Sequence, residues 1–139
     1  MRAVWGDEVA QFVMDMLDEP RGFGLCQAQG FLDASGVLEA GIVYHNWSPK
    51  ARTIEISAAA RNHSWATRSR LRAIFGYAFD LADCQMVFAR TSERNPIPLR
   101  IWRALGADEY RIPRFLGPDE AVIVTTLTAE TWRASRFAR

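Results

Sequence analysis

The chain has 139 residues, of which 49% are apolar and 24% charged, and its net charge is +1. This length and apolar content predict one domain, 1–139, whose core forms without metal or disulfide. The balanced charge gives no electrostatic footprint for nucleic acid, and no apolar run reaches the ~20 residues of a membrane span. Cys26 and Cys84 lack metal-ligand spacing, so we expect reduced core cysteines in a cytoplasmic protein.

The first elements in chain order are a helix and three strands. The run GDEVAQFVMDML has apolar residues at helical spacing, and Asp7 is available as its N-cap. Two strand-like runs, 24–33 and 37–47, are joined by a short Gly-containing turn and indicate a hairpin. Alternation predicts a third strand at 53–60. The three strands should form an antiparallel meander.

The second half of the chain alternates helices and strands. After the amphipathic run that follows Thr67, CQMVFAR is typical of a buried strand. The next helix has Asn95 as predicted N-cap and Pro96 at its first position. Pro113 makes DEYRIPRF an edge or bent strand, AVIVTTLT is the last strand, and Thr128 caps a terminal helix. The strand–helix–strand unit at 53–90 predicts a parallel crossover. The fold class is therefore α+β, with a mixed, mostly antiparallel central sheet flanked by helices.

The junction at 61–67, between the third strand and its helix, is a candidate anion site. The first amides of a helix lack partners, and with the helix dipole they favour phosphate. Small side chains at the junction allow a ligand to approach the backbone. Four basic residues surround it: Arg61, His63, Arg68 and Arg70. The alternative is a capped helix start with nothing bound, in which Ser64 or Thr67 is the cap.

This order of elements resembles the GCN5-related N-acetyltransferase (GNAT) family, in particular its short bacterial and phage-type members, from about residue 7 to about residue 128. The matching text is Trp65-Ala66-Thr67-Arg68, the run LRAIFGYAF at 71–79, Asn95 and Leu105-Gly106. The resemblance implies a GNAT-like acyl-CoA N-acyltransferase fold. Two departures stand out. The pyrophosphate loop, Q/R-x-x-G-x-G/A in the family, has no glycine in either register, starting at Arg61 or at His63. The family's proton-donating tyrosine is replaced by Trp102.

The resemblance implies an acetyl-CoA-dependent N-acetyltransferase that moves an acetyl group to an amine of a small molecule or peptide by direct attack, without a metal. The junction would hold the pyrophosphate, the strand end at 56–58 would pair with the pantetheine arm and supply an oxyanion donor, and Asn95 would contact the arm. The cofactor-binding residues it implies are Ile56, Ser57, Ala58, Arg61, Ser64, Trp65, Ala66, Thr67, Arg68 and Asn95.

Glu55 is the predicted general base, since it lies between Ile54 and Ile56 and burial would raise its pKa. The alternative is an exposed glutamate on the wet face of the strand. For the proton donor to the departing thiolate, the candidates are Tyr110 and Tyr44. The two histidines are expected in surface or turn positions: His45 and His63.

Other functions stay open on the sequence alone. The departures from the family motif fit a binding module that holds acyl-CoA without turnover, and a structural, phage-related role is the third alternative. The acceptor's binding groups are expected from the first helix, 20–24 and 110–119. There, Arg111 and Arg114 would suit an acidic acceptor. A homodimer is compatible with the resemblance.

Overall fold

A seven-stranded sheet runs through the computed structural model, which describes residues 2–139. Its strands are β1 (Ala3–Trp5), β2 (Cys26–Leu32), β3 (Leu38–Ser48), β4 (Thr53–Ala60), β5 (Met86–Ser92), β6 (Asp108–Gly117) and β7 (Glu120–Thr128). Their spatial order is β1-β2-β3-β4-β5-β7-β6. β4 and β5 are parallel and the other neighbours are antiparallel. The predicted mixed, mostly antiparallel sheet is confirmed, including the meander and the parallel pair.

Helices cover both faces of the sheet. They are α1 (Asp7–Leu17), α2 (Arg68–Phe75) with a π-helical continuation (Gly76–Leu81), α3 (Pro96–Ala104), α4 (Ala129–Ala134) and a 3₁₀ turn (Arg136–Ala138). On one face Val9 and Val13 of α1 pack with Ala28, Val43 and Ala59. The larger core lies on the other face, under α2, α3 and α4. None of the helices in residues 2–139 combines the length and apolar character that a bilayer span requires.

Two glycines bring α1 close to the sheet. A Cβ on Gly30 would stand 2.8 Å from a methyl of Val9, and one on Gly41 would stand 2.7 Å from a methyl of Val13. Gly30 and Gly41 are paired across β2 and β3, so they form a smooth patch under the helix. The segment after α1 lies near the end of β3 and the first half of β4, where it lines a cavity.

The N-cap residues of α2 and α4 are among those predicted from the sequence, whereas the N-cap of α1 is not. Thr67 caps α2 by accepting a hydrogen bond from the Arg70 amide, which settles the choice between Ser64 and Thr67. Thr128 caps α4 as predicted. The prediction for Asp7 was wrong by one residue, because Gly6 occupies the N-cap of α1.

Asn95 occupies the N-cap position of α3, but its side chain makes no capping hydrogen bond. β1 and the π-helical segment were not predicted. β1 is too short to show alternation, and a π-helix keeps nearly the apolar spacing of an α-helix. β6 lies at the edge of the sheet, as Pro113 predicted.

The parallel pair positions the site, because β4 and β5 separate part-way along. They pair at Thr53–Met86, Ile54–Val87 and Glu55–Phe88. Beyond Glu55, β4 continues to Ala60 and pairs only with β3. A gap therefore opens in the middle of the sheet from Ile56 onward.

Candidate functional site

The edge of β4 that faces this gap carries unpaired peptide groups. The Arg61 amide donates to the Glu39 carbonyl at 2.9 Å, continuing the β3–β4 ladder. In an antiparallel pair the residues that exchange hydrogen bonds alternate along the strand. Residues 55, 57 and 59 therefore bond to β3, whereas the backbones of Ile56, Ala58 and Ala60 point toward the β5 side. The rung between Glu55 and Phe88 uses the Ile56 amide, so the Ile56 carbonyl and the peptide groups of Ala58 and Ala60 face the gap. An extended ligand could pair with this edge as an added strand would.

A narrow apolar channel of about 50 Å³ adjoins the gap on the α2 side of the sheet. Ile56 and Ala58 of β4 form one wall, and Ile101 and Trp102 of α3 form another. Trp65 also lines the channel, and with 9% of its surface exposed it is a core residue. The apolar walls adjoin β4, so an extended chain lying along the gap would have apolar side chains beside it.

The junction at 61–67 leads from the gap to the start of α2. Asn62 folds it into an Asx turn by accepting hydrogen bonds from the amide and hydroxyl of Ser64, both at 3.0 Å. In residues 2–139, the non-glycine residues with left-handed backbone lie elsewhere in the chain. The junction thus follows a path that needs no glycine, consistent with its sequence.

The first turn of α2 follows the junction and begins with amides that have no intrahelical partner. Thr67 satisfies the Arg70 amide with its hydroxyl and the Leu71 amide with its carbonyl. The amides of Arg68 and Ser69 precede any intrahelical acceptor. Arg68, at the first helical position, has an exposed side chain. These groups form a cationic, donor-rich corner suited to phosphate.

Two other predicted rim arginines are engaged with the protein. The guanidinium of Arg70 lies 2.7 Å from the Glu39 carboxylate and also donates to the carbonyl of Trp65. Arg61 lies over the ring of Phe12, 5.4 Å from its centroid. Arg70 is therefore a structural tie between α2 and the β2–β3 hairpin. Ser64, Ala66 and Thr67 stay in the junction where the sequence placed them.

A second cavity of about 440 Å³ lies on the opposite, α1 side of the sheet. It is bounded by the segment after α1, by β3, β4 and β5, and by the end of β6. Its lining residues are Leu17, Glu19, Arg21, Gly22, Phe23, His45, Asn46, Glu55, Ser57, Arg90, Phe115 and Leu116. Apolar walls with a small polar cluster are typical of a small-molecule site.

Glu55 forms the floor of this cavity and is only 2% exposed. Arg90 of β5 holds it with two hydrogen bonds, Nε to Oε2 at 2.7 Å and Nη2 to Oε1 at 3.1 Å. Asn46 adds a third, from Nδ2 to Oε1 at 2.8 Å. The burial of Glu55 excludes the exposed-glutamate alternative. The carboxylate is held in an ion pair, which the sequence did not predict.

His45 lies opposite Glu55 on β3 and is 4% exposed, so the prediction of a surface or turn role was wrong. Its Nε2 is 2.8 Å from Ser57 Oγ and 3.9 Å from Glu55 Oε2. Burial lowers the pKa of His45, the charge of Glu55 raises it, and that of Arg90 lowers it. The net direction is downward, which leaves the imidazole neutral at pH 7.

Other predicted residues are not brought to the cavity. Tyr110 lies on β6, two strands beyond β5, and is 56% exposed. Tyr44 is buried on the other face, where its hydroxyl donates to Gln29 Oε1 at 2.7 Å. Burial raises the pKa of Tyr44 well above its ordinary value. Asn95 is exposed at the start of α3.

Sequence reasoning missed His45 and Arg90 and gave Ser57 only a backbone role. A signal existed for each. The short turn between β3 and β4 sets their pairing, and this pairing puts His45 directly opposite Glu55. Arg90 ends the apolar run of β5, two residues beyond the partner of Glu55. Within residues 2–139 no group of three or more His, Cys, Asp or Glu side chains is arranged to hold a metal ion.

No protein-family model matches the sequence, and no curated protein matches it. Solved structures do resemble it. A point mutant of the spermidine N-acetyltransferase SpeG from Vibrio cholerae has a TM-score of 0.75 at 10% identity, over 96% of this chain and 98% of that one. A chimera of SpeG from Vibrio cholerae and hSSAT gives 0.73 at 10% identity, over 95% and 99%.

Mutant forms of the spermidine/spermine N-acetyltransferase SpeG from Vibrio cholerae give a TM-score of 0.72 at 9% identity, over 94% of this chain and 97% of that one. At these identities the likeness shows the fold. The chain has the fold of the GCN5-related N-acetyltransferases, as the order of its elements predicted.

Proposed function

We propose that this chain, which has the N-acetyltransferase fold, is an acetyl-CoA-dependent N-acetyltransferase that acts by direct attack of an amine. The observation that carries the proposal is the unpaired edge of β4. It opens between an apolar channel on one face of the sheet and a polar-floored cavity on the other. Two substrates can therefore meet at the same strand from opposite sides.

The channel and junction fit the parts of acetyl-CoA in order. The pantetheine arm would pair with the backbones of Ile56, Ala58 and Ala60 as an added strand. The pyrophosphate would accept hydrogen bonds from the first amides of α2, with Arg68 beside it. Trp65 and the junction residues position these groups. Asn95, at the start of α3, lies on the same side of the sheet as the arm.

The thioester would lie where β4 and β5 separate. The Ala58 amide of β4, which points into the gap, would stabilise the developing oxyanion, and one such donor is worth about 3 kcal/mol in other enzymes. The amine would enter from the cavity above Glu55. Neither cysteine lines the channel or this cavity. Direct attack therefore fits better than a cysteine-linked intermediate.

The acceptor must lose a proton before it attacks, because an ammonium group has no lone pair. Glu55, His45 and Ser57 are the groups on the cavity floor toward which this proton can move. The structural neighbours are spermidine N-acetyltransferases, so spermidine is the first acceptor to test. Both cysteines are free thiols, in agreement with a cytoplasmic protein.

Acetyl transfer from acetyl-CoA to spermidine and a panel of primary amines tests the proposal, with release of the CoA thiol as the readout. We expect saturable transfer to at least one amine and competition by CoA. Binding of CoA without transfer to any amine would instead favour the acyl-CoA-binding module. One observation favours that alternative: the buried Trp102, which cannot protonate a thiolate, stands in the place of the family's tyrosine.

A further inference from the structure

We propose that the acceptor is a primary amine whose remaining body is apolar and uncharged, and that polyamines are poor acceptors because Arg90 already neutralises the buried carboxylate of the cavity. The inference rests on the proposed function and names the substrate class of the same site. It follows from the way in which the polar side chains of the cavity are paired with one another.

Both oxygens of Glu55, the carboxylate on the cavity floor, are already bound. Arg90 donates to Oε2 at 2.7 Å and to Oε1 at 3.1 Å, and Asn46 donates to Oε1 at 2.8 Å. The guanidinium neutralises the carboxylate and occupies it with two charge-assisted hydrogen bonds. An ammonium group of the acceptor could use this negative charge only by displacing Arg90.

The imidazole of His45 is likewise in use on both of its nitrogens. Asn46 Nδ2, which can only donate, lies 3.4 Å from Nδ1, so Nδ1 is the accepting nitrogen. The proton of the neutral ring is then on Nε2, which donates to Ser57 Oγ at 2.8 Å. The floor therefore presents the acceptor with a hydroxyl group and no unpaired ring nitrogen.

The other charged side chains of the lining offset each other. Glu19 and Arg21 lie two residues apart on the segment after α1, and both are exposed to solvent, which screens their charges. Together with Glu55 and Arg90 they give the lining two carboxylates and two guanidinium groups. The lining thus has no net charge and exerts no electrostatic preference for a polycation.

Apolar side chains form the walls around this paired floor. The ring of Phe23 lies against the imidazole of His45, with centroids 4.9 Å apart. Leu17, Phe115 and Leu116 also line the cavity and are 43%, 50% and 47% exposed. An apolar acceptor body would cover these surfaces and gain hydrophobic free energy. A second ammonium group among them would lose its hydration without gaining an unpaired anion.

A matched pair of amines tests the charge preference. Butylamine and putrescine have the same carbon chain, but putrescine keeps an ammonium group when its reacting nitrogen is neutral. We expect kcat/KM for butylamine to exceed that for putrescine and spermidine by about tenfold or more, and phenethylamine to be better still. Putrescine loses its first proton more easily than butylamine does, so a shortage of neutral amine cannot produce this order.

Arg90→Met tests the role of the ion pair. Without the guanidinium, Glu55 can pair with an ammonium group, so the ratio of kcat/KM for putrescine to that for butylamine should rise by about fivefold or more. This ratio is measured within one variant and does not depend on the fraction of folded protein. Arg103→Met removes an arginine from an exposed pair outside the cavity and should keep the wild-type ratio.

Phe115→Ser tests the apolar wall. It should lower kcat/KM for phenethylamine, relative to that for ethylamine, by about threefold or more, because ethylamine is too small to cover the wall. Ile112→Ser is the matched control. Ile112 lies on the same strand, is 42% exposed and does not line the cavity.

The outcomes distinguish the two proposals. If putrescine or spermidine is acetylated as well as butylamine, or if Arg90→Met leaves the ratio unchanged, this inference is wrong and the proposed function stands. If no amine is acetylated, the proposed function fails, and the amide resonances of His45 and Ser57 report amine binding without transfer. Tighter binding of phenethylamine than of putrescine then supports the preference of the cavity, and equal or weaker binding overturns it.

Discussion

Arg90 of β5 binds both carboxylate oxygens of Glu55 of β4; Glu55 pairs with Phe88 in the last rung of the parallel ladder, and Arg90 lies two residues further along β5. The ion pair bridges the two strands where their backbones stop pairing. It also forms part of the floor of the cavity on the α1 side of the sheet. The site and the stability of the sheet depend on the same contact.

Removal of Arg90 should destabilise the protein. Arg90→Met leaves a nearly fully buried carboxylate with Asn46 as its remaining strong donor, and we expect a loss of about 2 kcal/mol in the free energy of unfolding. This is below the range for fully buried pairs because the Arg90 side chain is half exposed. Urea denaturation of the wild type and Arg90→Met measures this loss in the free energy of unfolding.

Two further variants control this prediction. Adding Glu55→Gln to Arg90→Met should recover part of the loss, since an amide needs no counter-ion. Arg103→Met, which breaks the exposed pair with Glu109, should cost less than about 0.5 kcal/mol. An Arg90→Met protein as stable as the wild type would show that the ion pair does not hold the strands.

The stability of the protein should fall as the pH drops below 6.5, in part because of His45. The imidazole titrates near 6.5 in the unfolded chain, and burial lowers its pKa in the folded protein. Between these two values the unfolded state binds more protons, so acid favours unfolding. Stability measured from pH 7.5 to 5 should decline less steeply in His45→Gln.

His63→Gln is the matched control, because His63 is exposed in the junction. Its pH dependence should follow that of the wild type. A His45→Gln protein with an unchanged slope would mean that His45 carries its proton equally in both states, against the burial seen in the structure.

The fold was largely predictable because the sequence patterns that indicate its helices and strands are local. The alternation at 53–60, the Asn95-Pro96 helix start and the Pro113 edge strand each come from neighbouring residues. The cavity floor depends instead on pairing between strands distant in sequence. Glu55 was found from its own strand, but Arg90 lies 35 residues away and His45 comes from the hairpin. Their meeting requires the sheet order, which the composition of each strand does not encode.

Substitutions of Thr67 and Arg68, at the start of α2, should affect different properties: the first the stability of the protein, the second its binding of CoA. Thr67→Ala removes the cap and should lower the free energy of unfolding by about 1 kcal/mol. Arg68→Ala should leave stability within about 0.5 kcal/mol but weaken CoA binding, more so at low salt. Thermal unfolding and calorimetric titration of CoA measure the two effects. Equal CoA affinity in wild type and Arg68→Ala would exclude the arginine from the pyrophosphate site.

Filling the channel should block the pantetheine arm. Ala58→Leu places a larger side chain on the channel wall, next to the unpaired edge of β4. We expect the KM for acetyl-CoA to rise at least tenfold, because the arm and the side chain need the same space. Ala51→Leu, on the exposed β3–β4 turn, is the control and should bind CoA normally.

Binding of coenzyme A by the backbone of β4 and the first turn of α2 underlies the proposed function. Titration of CoA into ¹⁵N-labelled protein measures this binding through the amide resonances of residues 56–69. We expect saturable shifts at Ile56, Ala58, Arg68 and Ser69, with little change on β6. If saturating CoA leaves these resonances in place, the chain does not bind the cofactor there and the proposed acyl transfer is contradicted.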